Sequence, residues 1–355
     1  MSKFKSLTFL LCMFFVLSIT VSSVEEKWLV RENYFPKGEE KITFKSVPDL
    51  EITEDSIYIV ENYSGHRILA YKKNGKFRTT MGKKGKEPGE LFAPIAMSLW
   101  KDEIAVEDNA GLSIFRADGS FVRRFNPFVN IVSSVYIKDK IYIFTATPDK
   151  RSLIDVFSPE GEFLFDFGEG FFELDYSKYK HMSPIHAKGY VYRGKFLSDG
   201  EYLYYINTKF GKALVFSLNG TKTAEYDITK LFGEEGEKIK QNNEKLWLKE
   251  GIDLEKTEGR IPVHDMFIDA YLCKNHIYLL TRKTKRLQKG WKNEYKIIIV
   301  EKNSFELEDV YNIKTADDER IVALAVEEKN NVLIFYFTMM VRDKPSIVAE
   351  YRRKK

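Results

Sequence analysis

The five histidines of this 355-residue chain, His66, His181, His186, His264 and His276, are its best candidates for metal chemistry. Zinc asks for three or four ligands converging at about 2.0–2.3 Å, so histidines this far apart in sequence must be gathered by the fold. His276 abuts an apolar run and His66 stands in an exposed loop, where a solvated imidazole is the simpler expectation. Cys273 ends the run Ala270-Tyr271-Leu272-Cys273 and reads as a buried, hydrophobe-like thiol rather than a nucleophile. No Gly-x-Ser-x-Gly elbow, His-Glu-x-x-His helix, phosphate loop or Asp-x-Asp-x-Asp-Gly calcium loop occurs. A different chemistry is offered by Arg282-Lys283-Thr284-Lys285-Arg286-Leu287-Gln288-Lys289-Gly290-Trp291-Lys292. Six basic residues with a tryptophan suit an anionic polymer or an acidic protein, which makes Arg282, Lys283, Lys285, Arg286 and Trp291 the candidate binding residues.

Composition limits what these residues can serve. The chain is 44% hydrophobic, 30% charged and 14% aromatic, with only 10 prolines and 2 cysteines, which is the profile of an ordinary folded protein. Its 56 Lys and Arg are interspersed with 52 Asp and Glu, so no nucleic-acid footprint is expected. Lys3 and Lys5 precede the uncharged, apolar stretch Ser6 to Val24, and Val21 and Ser23 fit a signal-peptidase site. Residues 1–23 are therefore expected to be a signal peptide and 24–355 a single domain, exported to the periplasm, the cell surface or the medium. Membrane contact is expected only if the segment is kept as an anchor. Leu10 and Leu11 before Cys12 fit a lipoprotein site poorly. Removal of Cys12 would leave Cys273 alone, with no internal disulfide. A monomer is the expectation.

Six apolar runs organise the rest: Ile57–Val60, Ile104–Val106, Ile141–Phe144, Leu203–Ile206, Ile277–Leu280 and Val332–Phe335. Each is β-branched or aromatic and too short for a helix, hence a strand. Tyr71, Phe115, Phe157 and Phe216 each stand four residues before Gly75, Gly119, Gly161 and Gly220. Each of those glycines follows Asn, Asp or Glu, the signature of a two-residue hairpin turn. Phe77, Phe121 and Phe163 then open another strand, with Lys222 in the fourth copy. A unit of about 40 residues with four antiparallel strands is a propeller blade. The fold expected is all-β, a six-bladed β-propeller, closed by an N-terminal strand from either Trp28-Leu29-Val30 or Ile42-Thr43-Phe44. Extra length falls at Gly168–Lys188 and at 229–263, the second a partly helical insertion over a rim, serving either function or simply the packing of Trp247.

The segment Ile57 to Met97 resembles the NHL repeat. Glu61, His66-Arg67-Ile68, Tyr71, Gly75-Lys76-Phe77, Gly82, Gly85, Pro88-Gly89, Phe92 and Pro94 fall where that repeat places its acid, its Arg-Ile pair and its glycines. The resemblance implies an exported, bacterial-type six-bladed propeller in which Glu61 and Arg67 brace a loop rather than catalyse. Some relatives of this kind are lyases holding zinc at the central channel, and related propellers are hydrolases holding calcium. For this chain that implies a metal-dependent alternative with His186, His264 and Asp265 as ligands, just before the inner strands of blades four and five. The reading preferred is a binding or scaffold protein, without cofactor, presenting one loop face to a protein or glycan partner.

Overall fold

The computed structural model describes residues 26–36, 44–127, 131–148, 150–258, 264–286, 291–342 and 344–353, without the side chains of Arg286 and Trp291. The expected signal peptide and Cys12 lie outside the described residues, as do Ile42, Thr43 and the tip of the basic hairpin.

The first strand, β1 (Lys27–Phe35), belongs to the last blade. Blade one is β2 (Leu50–Ile52), β3 (Ser56–Glu61), β4 (Arg67–Lys72) and β5 (Phe77–Met81), and blade two is β6 (Ala96–Trp100), β7 (Glu103–Asp108), β8 (Gly111–Arg116) and β9 (Phe121–Phe125). Blade three runs through β10 (Ile131–Ile137), β11 (Lys140–Thr145), β12 (Ser152–Phe157) and β13 (Phe163–Glu169), and blade four through β14 (Gly194–Ser198), β15 (Tyr202–Asn207), β16 (Lys212–Ser217) and β17 (Lys222–Asp227). Blade five is β18 (Asp269–Cys273), β19 (His276–Arg286), β20 (Trp291–Glu301) and β21 (Leu307–Ile313), and blade six is β22 (Glu319–Lys329), β23 (Val332–Val341), β24 (Ile347–Arg353) and β1. The second strands read as unbroken apolar runs because both their faces are covered by neighbouring blades; all six residues of β3 are buried.

The outer hairpins differ from the expected two-residue turn. Gly75, Gly119, Gly161 and Gly220 have φ between 85° and 98°, while Asn74, Asp118, Glu160 and Asn219 stay at negative φ. Asn74 Oδ1 accepts the Lys76 N–H at 3.0 Å and Asp118 Oδ1 the Ser120 N–H at 2.8 Å, and the ladder slips by one residue at Tyr71 and at Phe115. This is the three-residue loop with a glycine bulge. It sets Tyr71 edge-on to Phe77 and Phe115 to Phe121, with ring centres 5.6 Å apart in both pairs. Where Lys222 replaces the phenylalanine, Phe216 instead meets Phe167 of the preceding blade at 5.4 Å.

Of the two candidate closing strands, Trp28-Leu29-Val30 does the work. β1 pairs antiparallel with β24, Leu29 opposite Arg353 and Phe35 opposite Val348. Its first residues also pair parallel with β21, Lys27 opposite Tyr311, so blades five and six form one eight-stranded sheet. Lys27 Nζ lies 2.7 Å from Asp309 Oδ2, and Arg31 pairs with Glu319 and donates to the Tyr351 hydroxyl at 3.0 Å. Phe44 is fully buried against blades one and six.

Antiparallel order places the blade-to-blade crossings and the loops between second and third strands on one face of the ring. Both insertions are crossings, so they share that face with the β19–β20 hairpin. The first contains α1 (Pro184–Val191), capped by Ser183 with Pro184 at its first position; the second contains α2 (Gly233–Asn243) and a π-helical turn over Glu244–Glu250. Trp247 joins them: it is fully buried, Tyr190 stacks on it at 5.7 Å, and the Tyr179 hydroxyl donates to its carbonyl.

Candidate functional site

The inner strands begin on the insertion-bearing face and bring charged side chains to the axis. Lys195 Nζ, from β14, sits 2.5 Å from Asp269 Oδ1 and 3.9 Å from Asp49 Oδ1, which come from blades five and one. Burial opposes the ammonium charge, and Asp269 and Asp49 more than offset it, holding Lys195 above its ordinary range. Asp49 Oδ2 accepts the Met97 N–H of β6 at 2.8 Å, and Asp269 Oδ2 accepts the Leu324 N–H of β22 at 2.7 Å. Ser98 does the same for Tyr136 of β10 at 3.0 Å. Three inner strands therefore staple the next blade through a side chain. Glu51 lies beside this group, and burial together with Asp49 keeps its carboxyl well above the usual range. Glu107, at the end of β7, is 1% exposed, and among the described residues only Ser134 stands beside its carboxyl, without a well-formed hydrogen bond to either oxygen. Its burial raises its pKa to about 7.

Nearer the rim the charge reverses. Arg193 follows α1, Lys209 lies in the loop after β15, Arg282 is in β19, and Arg320 stands at the exposed start of β22. Asp265 is the carboxylate among them: its Oδ1 meets Lys209 Nζ at 3.1 Å and the Thr208 hydroxyl at 2.8 Å, and its Oδ2 lies 3.7 Å from Arg193. Lys209 is fully buried, 5.7 Å from the Trp247 ring centre, and burial lowers its pKa against the pull of Asp265. Burial, then the neighbouring Arg320, presses the pKa of Arg282 down as well. Arg320 is next to Arg282 because the Ile321 N–H donates at 3.1 Å to the hydroxyl of Tyr295, the cross-strand partner of Arg282.

The structure does not assemble His186, His264 and Asp265 into a metal centre. Asp265 is committed to Lys209 and Arg193; His186 is exposed in α1, its Nδ1 2.9 Å from the Ser183 hydroxyl; His264 is exposed, with its carbonyl bonded to Asn243. Among the described residues the grouping within coordinating reach is His181, Asp253 and Glu255, out on the insertions. Of the basic hairpin, Lys283 pairs with Glu235 of α2 and Lys285 with Glu294 at 2.7 Å, so their charges are locally answered. Arg286 and Trp291 have side chains outside the described residues. Arg67 Nε donates to the buried Glu61 at 2.7 Å, the bracing pair expected. His66 is a correction: it is 8% exposed, and its Nδ1 accepts the Ala93 N–H at 2.8 Å, fixing the crossing into blade two.

Sequence reasoning missed Asp49, Glu51, Glu107, Lys195 and Asp269 at the axis, and Arg193 and Arg320 at the rim. The available signal was their register. Asp49, Lys195, Asp269 and Arg320 all fall within one residue of the start of an inner strand, where a side chain can point only toward the axis or into the neighbouring blade.

Comparison with known proteins agrees with this architecture. Residues 37–151 match the DUF5128 family model, described as a 6-bladed beta-propeller. The fold is a six-bladed β-propeller. A Bacteroides fragilis protein whose name describes it as exported is 12% identical with a TM-score of 0.56, over 93% of this chain and 95% of its own. A member of the duf4221 family from Bacteroides vulgatus is 13% identical with a TM-score of 0.56, over 93% of this chain and 99% of its own. At such identities the likeness is one of fold. No curated protein matches.

Proposed function

We propose that this propeller is an exported binding protein that engages a protein or glycan partner through its insertion-bearing face. The observation that carries this reading is the asymmetry of the ring. Every long excursion, both helical insertions and the β19–β20 hairpin, rises on one face, whereas the other face is made of short turns. Those excursions are built to stay in place: Lys283 ties the hairpin to Glu235 of α2, and Trp247, in the π-helical turn after α2, ties the second insertion to α1. A preorganised surface of this kind loses little entropy on binding. Export is supported by Lys3, Lys5 and the apolar stretch Ser6 to Val24, and NHL-like kinship by the motif in Ile57 to Met97. Among the described residues no helix is long and apolar enough to cross a membrane.

The test is partner capture by the full chain from its own compartment, with fractionation run in parallel. Charge reversal at Lys283 and Lys285 should abolish capture, whereas reversal at Lys101 and Lys138, in turns of the opposite face, should leave it intact. Equal loss in both variants would overturn the assignment of the face.

A further inference from the structure

We propose that the rim of the channel mouth is a seat for a multiply charged oxyanion, a polycarboxylate, sulfate or phosphate, held by Arg193, Arg282 and Arg320. The inference deepens the binding reading and rests on it.

At this rim the protein leaves positive charge unanswered. Asp265 lies between Lys209 and Arg193, and Arg282, which stands beside Arg320 and within electrostatic reach of Asp265 and Arg193, extends the cluster to four cations against one carboxylate, a local balance of three positive charges. Asp265 is spent on Lys209, at 3.1 Å, and more loosely on Arg193, at 3.7 Å. Of the acids next to Arg320 in sequence, Glu319 pairs with Arg31, and Asp318 lies 3.9 Å from Lys344. Among the described residues, Arg282 and Arg320 have neither a hydrogen bond nor an ion pair from their guanidinium groups. Arg282 is partly buried, and leaving a desolvated guanidinium without a counter-ion is costly unless something else supplies it.

The arrangement also selects the chemistry. A guanidinium offers two parallel N–H donors that match the two oxygens of a carboxylate, sulfate or phosphate. Arg193, Arg282 and Arg320 come from blades four, five and six, on rigid strands or directly beside one, so no loop has to order to present them. Deeper in the channel the Lys195 ammonium is already answered by Asp269 and Asp49, so no unpaired cation draws an anion past the rim.

Titration calorimetry with citrate, sulfate and phosphate, each against chloride at matched ionic strength, tests the seat on the full chain. Saturable binding is expected for wild type, at least tenfold weaker in Arg282→Gln and in Arg320→Gln, and unchanged in Lys222→Gln on an outer strand. Arg320 is exposed, so its variant separates loss of the seat from loss of the fold. The three anions distinguish planar carboxylate from tetrahedral oxyanion. No saturable binding, or equal weakening in Lys222→Gln, overturns the seat. If partner capture persists in Arg320→Gln while anion binding is absent in wild type, the binding face stands and the oxyanion seat alone falls.

Discussion

Glu107 shows how a single side chain at the axis sets a condition on the whole fold. Its carboxyl is 1% exposed, has no well-formed hydrogen bond among the described residues, and has its pKa displaced by burial from 4.5 to about 7. For an acid raised on folding, the stabilising contribution is complete below its ordinary pKa and is lost as pH climbs through the folded value. The displacement is worth about 3 kcal/mol. Urea unfolding should therefore show wild type losing stability between pH 5 and pH 8, and Glu107→Gln should remove about 3 kcal/mol of that loss, leaving the part that Glu51 contributes. Identical pH profiles for the two proteins would refute the assignment. At this scale the sequence was partly legible. Glu61 and Arg67 announced their pairing through the repeat in which they sit, and Arg282 was singled out by its basic run. His66 was misjudged because a loop position says nothing about the Phe92 ring and the Ala93 N–H that come to cover it. Arg193 and Arg320 were missed because only the ring brings blades four and six beside Arg282.

At the scale of the element, the hairpin glycines do two separate jobs. Gly220 has φ of 91°, and a Cβ built on it would lie 2.7 Å from Phe167 Cγ of the preceding blade. Gly200 has φ of 95° but open space, its nearest neighbour being 4.0 Å away. Alanine at Gly200 should therefore cost only the left-handed backbone penalty, about 1 kcal/mol. Alanine at Gly220 adds a steric conflict across the blade interface, for a total of about 2–4 kcal/mol. Thermal or urea melts of the two variants measure the difference, and equal losses would show that blade contact contributes nothing at Gly220. The strands themselves were the most legible part of the sequence, because a strand covered on both faces must be apolar along its middle, as Ile57–Val60 of β3 and Ile334–Phe337 of β23 are. The turn type was less so. Asn-Gly suits either a two-residue or a three-residue loop, and the choice was made by Oδ1 of Asn74 and Asn219 accepting the N–H two residues on.

At the scale of the molecule, the ring is completed by the pairing of residues more than 300 positions apart, Leu29 with Arg353 and Phe35 with Val348. Contacts of such separation cost loop-closure entropy before they return any stability, so closure is expected to come late in folding. The insertions were legible as excess length, but their common face was not, since it follows from the direction in which each strand runs. Pairing of β1 with both β24 and β21 also puts the two described ends of the chain side by side on the perimeter, at the seam of blades five and six and away from the axis. A donor dye near residue 26 and an acceptor near residue 353 should transfer energy almost completely in the native state. Denaturant should abolish that transfer in step with the loss of strand signal; a transfer that disappears earlier would mean the seam opens before the blades do. The same geometry makes either end a handle at the circumference: a surface tethered there would hold the disc by its edge, with the arginine-lined mouth facing the surrounding solution rather than the support.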